Sequence, residues 1–144
     1  MARAMLAARV TRTMLTPSIA ALLLAADSPV GRVAESLGVF ATLRVTVLCG
    51  ELASTSLVRS LLAAHTRPGA KLANLYSISE AHDVALEPDL AVAVKALDVL
   101  TSPTSKSGSF IPCGSPYSHV NILIADDEGK RLTSPDTPGW LHIG

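Results

Sequence analysis

The sequence predicts an α/β fold, in which a parallel, layered βαβ sheet is followed by the start of a small antiparallel β segment. Three observations lead to this prediction. Of the 144 residues, 49% are hydrophobic and 17% are charged, which is enough apolar surface for a globular core. Up to about residue 100, short β-branched runs alternate with apolar helical stretches. Beyond residue 110, strand-like runs are separated only by turn signals.

A strand, a helix and a second strand open the chain. Residues 10–14 form a short β-type run, and residues 18–26 form an apolar helix that begins after Pro17. Residues 31–38 fit either a helix or a loop, and the pattern does not decide between them. Residues 43–48 are apolar at enough positions to predict a strand that is buried on both faces.

A second helix and a third strand follow. Gly50 ends the second strand, and Ser54 or Thr55 can cap a helix that stops near residues 67–69. The apolar stripe of this helix consists of Leu57, Val58, Leu61 and Leu62. Residues 71–76 are the next strand candidate. Strands and helices in this order predict a parallel sheet, and ligands bind beyond the carboxyl ends of its strands.

The second part of the chain changes character. Residues 90–100 show mixed alternation, which predicts no single element type, and residues 101–109 are rich in Ser and Thr, which predicts a linker. Residues 119–124 and 140–143 are strand-like, and a turn signal lies between them at residues 126–129.

The pattern predicts three parts. Residues 1–100 are the α/β subdomain, residues 101–109 the linker and residues 110–144 the β segment. The last residues resemble a strand that enters a turn, with no closing element after it. We therefore expect the β segment to be truncated and the chain to be a fragment.

Charge and cysteine content exclude several classes of protein. Twelve basic residues balance twelve acidic ones, so the sequence gives no reason to expect nucleic acid as a partner. Cys49 and Cys113 are too few for a disulfide framework or a four-cysteine zinc site and favour a reducing compartment, which predicts a cytoplasmic protein. An alternative is organelle targeting, because the first 26 residues carry arginines and no acidic residue. No apolar run is long enough to span a membrane.

One motif resembles a known family. Residues 74–80, Asn-Leu-Tyr-Ser-Ile-Ser-Glu, are similar to the Asn-x-Tyr-Gly-x-Thr-Glu motif of the adenylate-forming, AMP-binding superfamily. That superfamily includes acyl-CoA synthetases and the adenylation domains of nonribosomal peptide synthetases. Four flanking segments resemble other motifs of the family in the same order, and they lie at residues 11–18, 43–52, 111–116 and 138–144. The resemblance therefore covers nearly the whole chain.

The resemblance implies a nucleotide site in residues 1–100. It implies that the ring of Tyr76 stacks on adenine, that the Gly50–Glu51 backbone lies on the other side of the base, and that Asn74 belongs to the same site. It also implies ATP as a ligand. Without the resemblance, the residues also fit an alternative interpretation, in which Tyr76 is an aromatic side chain of the core.

The resemblance also implies which residues contact the phosphates of ATP and the metal ion. The Ser79 hydroxyl would contact the α-phosphate, and the Glu80 carboxylate would bind Mg²⁺, so these two residues are the catalytic candidates. The residues themselves also fit an N-cap at Ser79 and a helix-start carboxylate at Glu80.

The resemblance further implies a pocket for the acid. Its lining would be Val47, Cys49, Leu75, Asp83 and Val84. If a helical turn follows Ser79, Glu80 and Asp83 share one face, and Asp83 can meet a substrate ammonium group. Residues 75–84 are similar to synthetase-like enzymes that join β-alanine to amines, which favours a small amino acid. A solvated Asp83 is the alternative.

These expectations define one function and two alternatives. The chain is expected to be part of an enzyme that activates an amino or other carboxylic acid as acyl-AMP, for transfer to a carrier thiol, CoA or an amine. It is expected to be inactive alone, because the family's phosphate loop, ribose-binding aspartate and catalytic lysine are not among these residues. The alternatives are a non-catalytic scaffold segment of a multidomain synthetase and an unrelated small α/β nucleotide-binding module.

Overall fold

A computed structural model describes residues 1–100, 110–134 and 137–144, without the side chain of Leu100. The predicted linker at residues 101–109 lies outside the described residues. The main sheet has five strands in the order β1-β2-β3-β4-β5, and a separate sheet pairs β6 with β7. The strands are β1 (Arg12–Leu15), β2 (Val45–Cys49), β3 (Lys71–Ile78), β4 (His82–Glu87), β5 (Ser115–Pro116), β6 (Ile122–Ala125) and β7 (Trp140–Ile143).

Six helices accompany these strands within the described residues. They are α1 (Ala2–Ala7), α2 (Pro17–Leu24), α3 (Pro29–Ser36), α4 (Val39–Thr42), α5 (Thr55–Ala64) and α6 (Leu90–Leu100). β1, β2 and β3 are parallel neighbours, and β4 and β5 continue the sheet in antiparallel pairing. The predicted α/β class, the parallel start of the sheet and the small antiparallel segment are confirmed.

Local signals explain where the helices begin. Thr16, Ser28 and Ser54 are the N-caps of α2, α3 and α5, respectively. The side-chain oxygen of each accepts a hydrogen bond from a backbone N–H in the first turn of its helix. The undecided stretch at residues 31–38 therefore belongs mostly to a helix. Gly31 is required there, because a Cβ atom at this position would lie 1.9 Å from the carbonyl oxygen of Ala25.

The two faces of β2 differ in burial. Thr46 and Leu48 are fully buried, and Leu48 joins a cluster with Val58 of α5 and Leu90 of α6. Val47, on the opposite face, is only half-buried. The prediction that residues 43–48 are buried on both faces is therefore wrong, because the described helices cover the Leu48 side and leave the other side partly open.

A hydrogen bond between the half-buried His65 and the buried Thr46 connects the end of α5 to β2. His65 Nδ1 lies 2.7 Å from the carbonyl oxygen of Leu61, and His65 Nε2 lies 2.9 Å from the hydroxyl of Thr46. A carbonyl oxygen only accepts, so Nδ1 must donate to it. In the neutral ring, Nε2 then accepts from the Thr46 hydroxyl, which satisfies the one polar group of this fully buried threonine.

The chain turns back after β3. Residues 79–81 form a turn, and the chain continues as β4, antiparallel to β3. His82 has a φ of 55°, which is incompatible with a right-handed helix. The condition that a helical turn follows Ser79 is therefore not met, and Glu80 and Asp83 do not share a helical face. Residues 90–100, to which the alternation gave no type, form the helix α6.

β5 follows the predicted linker and extends the main sheet by pairing with β4. The division of the chain into residues 1–100, 101–109 and 110–144 stays a prediction. None of the described helices is long and apolar enough to cross a membrane.

Candidate functional site

A cavity of about 270 Å³ lies at the carboxyl ends of β2 and β3. This is where ligands bind in open α/β sheets. The loop after β2 and the last half of β3 supply most of its lining. Of the predicted nucleotide residues, it is lined by Gly50, Glu51, Asn74 and Tyr76, and Leu75 of the predicted acid pocket also lines it.

Glu51 is held by the start of α2. Its Oε2 atom accepts a hydrogen bond of 2.9 Å from the backbone N–H of Ser18 and another from the Ser18 hydroxyl. These hydrogen bonds, the one from the hydroxyl first, lower the pKa of Glu51 below its ordinary value. A carboxylate at a helix N-terminus is also favoured by the helix dipole. The Glu51 side chain therefore fixes the backbone that lines the cavity.

Gly50 turns the chain at the end of β2. Its φ is 87°, in the left-handed region where other residues are strained. A Cβ atom here would meet only Thr16 Cγ2 at 3.9 Å, which is an ordinary contact. Glycine is thus favoured here by backbone conformation and not by lack of space.

The carboxamide of Asn74 has a defined orientation. Asn74 is buried, with 7% of its surface exposed, and its Nδ2 donates a hydrogen bond of 3.1 Å to the carbonyl oxygen of Pro112. That carbonyl cannot donate, so the atom that faces it must be the amide nitrogen. Oδ1 consequently remains as the acceptor of this side chain.

Ser79 and Glu80 do not line the cavity. Both are exposed in the β3–β4 turn, and neither is among the residues that line the 270 Å³ cavity. Within residues 1–100, 110–134 and 137–144, no cluster of three or more potential metal ligands occurs. The structure therefore brings together the predicted base-binding residues and leaves the predicted reacting residues at a neighbouring, open position.

Four of the five predicted acid-pocket residues lie near one sheet face. Val47 and Cys49 share that face of β2, and Leu75 lies opposite Cys49 in register. A bulge lies between β3 and β4, because Tyr76 pairs with Ala85 and the next residue, Ser77, pairs with Asp83.

This bulge moves Asp83 to the face that carries Leu75 and Cys49. Burial raises the pKa of Cys49 above its ordinary value, and the charge of Asp83 adds to the rise, which is consistent with their being close. Val84, the residue that the bulge displaces, is fully buried.

Sequence reasoning missed part of the cavity wall. Leu52, Ala53, Ser77 and Ile78 line it, and so do Ile111 and Cys113, which come from beyond the predicted linker. The motif at residues 111–116 was recognised, but nothing in it indicates contact with β3. The contact is long-range in the sequence, so no local signal predicts it.

Together, these features define a class of protein: an α/β domain with a ligand cavity at the carboxyl ends of adjacent parallel strands. The sequence matches the family described as AMP-binding enzyme over residues 1–144. The chain belongs to this family. None of the curated proteins matches the sequence.

Solved structures show the same fold. The crystal structure of IdnL1 is similar with a TM-score of 0.71 and 20% sequence identity, over 99% of this chain and 26% of IdnL1. PA1221, a nonribosomal peptide synthetase protein with adenylation and PCP domains, gives a TM-score of 0.66 at 20% identity, over 97% of this chain and 24% of PA1221.

The Klebsiella oxytoca NpsA N-terminal subdomain in complex with 3-hydroxybenzoyl-AMSN is a third example. It gives a TM-score of 0.62 at 20% identity, over 99% of this chain and 31% of NpsA. The chain thus spans from 24% to 31% of the length of these solved structures.

Proposed function

We propose that this chain forms the nucleotide-binding and acid-binding wall of an ATP-dependent enzyme that activates an amino or other carboxylic acid as acyl-AMP. The observation that carries the proposal is that Gly50, Glu51, Asn74 and Tyr76 line the same cavity. Membership of the AMP-binding family supports an adenine nucleotide as the ligand of this cavity.

The cavity suits an adenine base. The half-buried Tyr76 offers an aromatic ring for stacking, and the backbone of Gly50 and Glu51 offers a flat surface without a side chain at Gly50. Asn74 Oδ1 can accept a hydrogen bond from the amino group of adenine, because the bond from Nδ2 to Pro112 fixes the orientation of the carboxamide.

Ser79 and Glu80 would act on the phosphates. The exposed Ser79 hydroxyl donates to an α-phosphate oxygen, and the exposed Glu80 carboxylate is an oxygen ligand of the kind that Mg²⁺ takes. A single carboxylate fits Mg²⁺ where nucleotide phosphates and water complete the shell. When bound, Mg²⁺ neutralises charge on the phosphates and on the leaving pyrophosphate.

The acid would lie against the face of Val47, Cys49 and Leu75, with Val84 supporting the wall from its buried position. Asp83 supplies a negative charge on the same face. We therefore propose a small amino acid, whose ammonium group Asp83 binds. The acyl group would pass to a carrier thiol, CoA or an amine, and a solved relative that contains adenylation and PCP domains favours the carrier.

We further propose that these 144 residues form no acyl-adenylate by themselves, so that amino-acid-dependent ATP–pyrophosphate exchange stays at background. The alternative function is that of a non-catalytic scaffold segment inside a multidomain synthetase, with which the fold is also compatible. In that case the cavity would bind no nucleotide. A cytoplasmic location stays a proposal, which rests on two unpaired cysteines.

The two tyrosines of the chain provide the test. AMP binding is measured by equilibrium dialysis at millimolar AMP for the wild type, Tyr76→Ala and Tyr117→Ala. Tyr117 is also half-buried, but its ring stacks on His119 at 5.8 Å, outside the cavity. Loss of base stacking should weaken binding about tenfold in Tyr76→Ala, while Tyr117→Ala binds like the wild type. Equal losses in both variants, or no binding by the wild type, would contradict the proposal.

A further inference from the structure

The segment of residues 110–116 connects the loop after β2 with β3 and β4. Phe110 forms a bridge with Ser54, and the N–H of Ile111 donates a hydrogen bond of 2.9 Å to the carbonyl oxygen of Ala53. The carbonyl of Pro112 accepts from Asn74 of β3. Residues 115–116 then pair with β4. The segment therefore contacts three parts of the chain, namely the loop after β2, β3 and β4, on one side of the cavity.

Gly114 sets how close this segment lies to β4. Its φ is 86°, and a Cβ atom there would lie 2.1 Å from the carbonyl oxygen of Leu86 and 2.2 Å from the N–H nitrogen of Glu87. Both neighbours are backbone atoms, so they cannot move aside as a flexible side chain would. Any larger residue must push the segment away from the sheet and take the Pro112 carbonyl with it.

We infer that Gly114 is a positioning residue for nucleotide-base selection, because it holds the Pro112 carbonyl where that carbonyl fixes the Asn74 carboxamide. This inference rests on the proposed function. The fixed amide keeps its Oδ1 acceptor at one position, so that a base group that meets this atom must be a donor. It therefore favours a purine with an amino group over a purine with a carbonyl oxygen at the same position, which would face another acceptor.

The amide orientation can be measured without any nucleotide. The sequence has two asparagines, Asn74 and Asn121, and no glutamine, so a ¹⁵N spectrum of the chain contains only two carboxamide signals. Asn121 is exposed and serves as the internal reference. In the wild type, the Asn74 carboxamide protons should exchange with water about tenfold more slowly than those of Asn121. Equal exchange rates in the wild type would overturn the inference with no variant involved.

Two glycine variants then separate positioning from general strain. Gly114→Ala should bring the Asn74 exchange rate close to that of Asn121. Gly129→Ala is the matched control, because Gly129 also has a positive φ, of 79°, but no atom lies within 4 Å of the Cβ position. Gly129→Ala should leave the Asn74 signal unchanged. An unchanged signal in a folded Gly114→Ala would overturn the inference.

Nucleotide selectivity is the second readout. AMP and IMP differ in the relevant group, which is an amino group in AMP and a carbonyl oxygen in IMP. The wild type and Gly129→Ala should prefer AMP by about tenfold, since the wrong base leaves a buried polar group unpaired. In Gly114→Ala the preference should fall to about twofold or less, because the released amide can rotate and donate to IMP.

The two proposals fail in different ways. If the wild type binds neither nucleotide, the proposed function fails, whereas the exchange measurement still decides whether Gly114 positions Asn74. If the wild type binds AMP, and Gly114→Ala releases the amide but keeps the full preference for AMP, the inference is overturned and the proposed function stands.

Discussion

Glu51 Oε2 accepts hydrogen bonds from both the backbone N–H and the side-chain hydroxyl of Ser18. This contact joins the first turn of α2 to the loop after β2, two parts of the chain that the sequence separates by 33 positions. Because Glu51 and its neighbour Gly50 line the cavity, the start of α2 stabilises one wall of the proposed nucleotide site.

Replacing Ser18 should weaken both the fold and the site. Ser18→Ala removes the hydroxyl donor and keeps the backbone donor, so we expect a lower thermal midpoint and weaker AMP binding. Ser36→Ala is the matched control, because Ser36 is also exposed and its hydroxyl donates only to the carbonyl of Val33 within its own helix region. Circular dichroism melting and dialysis measure the two effects. If both variants behave alike, the Ser18–Glu51 contact does not support the wall.

The stabilising effect of Glu51 should depend on pH. Its pKa in the folded chain is lowered from an ordinary value of 4.5, so the stabilisation is present above that value and is lost as pH falls through the depressed pKa. Urea unfolding should show Glu51→Gln less stable than the wild type at neutral pH, with the difference disappearing in acid. A difference that stays constant with pH would contradict this assignment.

The hydrogen bond between Thr46 and His65 should contribute to stability. Thr46→Val removes the donor to His65 Nε2 and keeps the side-chain shape, so the free energy of unfolding should fall by about 1 kcal/mol. Thr13→Val is the control, because Thr13 lies beside Thr46 in the parallel register but is only half-buried. Equal effects of the two substitutions in urea titrations would show that the His65 contact contributes nothing.

Asp83 should control the reactivity of Cys49. Removing the charge in Asp83→Asn lowers the pKa of Cys49, so more thiolate is present at a given pH and alkylation by iodoacetamide becomes faster. Cys113 is the internal control, because burial alone raises its pKa. Mass spectrometry of the two cysteine peptides gives both rates. If Asp83→Asn leaves the Cys49 rate unchanged, Asp83 does not face the Cys49 side of the sheet and its proposed ammonium contact loses its support.

The elements that the sequence predicted well are those with local signals. Thr16 and Ser54 cap helices that begin within a residue or two of the predicted positions, because an N-cap acts on its own first turn. The sequence did not predict the β3–β4 hairpin. Its pairing and its bulge at Tyr76 depend on β4, which comes later in the sequence.

In the candidate site, too, the features that depend on long-range contacts could not be predicted from the sequence. Gly50, Asn74 and Tyr76 line one cavity, since parallel strands bring their carboxyl ends to one edge of the sheet, and their role in nucleotide binding stays a prediction. The sequence did not predict that residues 111–113 lie at the cavity, because their position depends on how closely Gly114 packs against β4.

Photolabelling with 8-azido-AMP tests the central claim most directly, because it reports which residues contact the base. After irradiation of the full chain and proteolysis, the label should lie in peptides that contain residues 50–53 or 74–78, and excess AMP should abolish it. Tyr76→Ala should lose most of the labelling, and Tyr117→Ala should keep it. Labelling that falls mainly on the β6–β7 hairpin, or that AMP does not compete away, would contradict the assignment of this cavity as an adenine-nucleotide site.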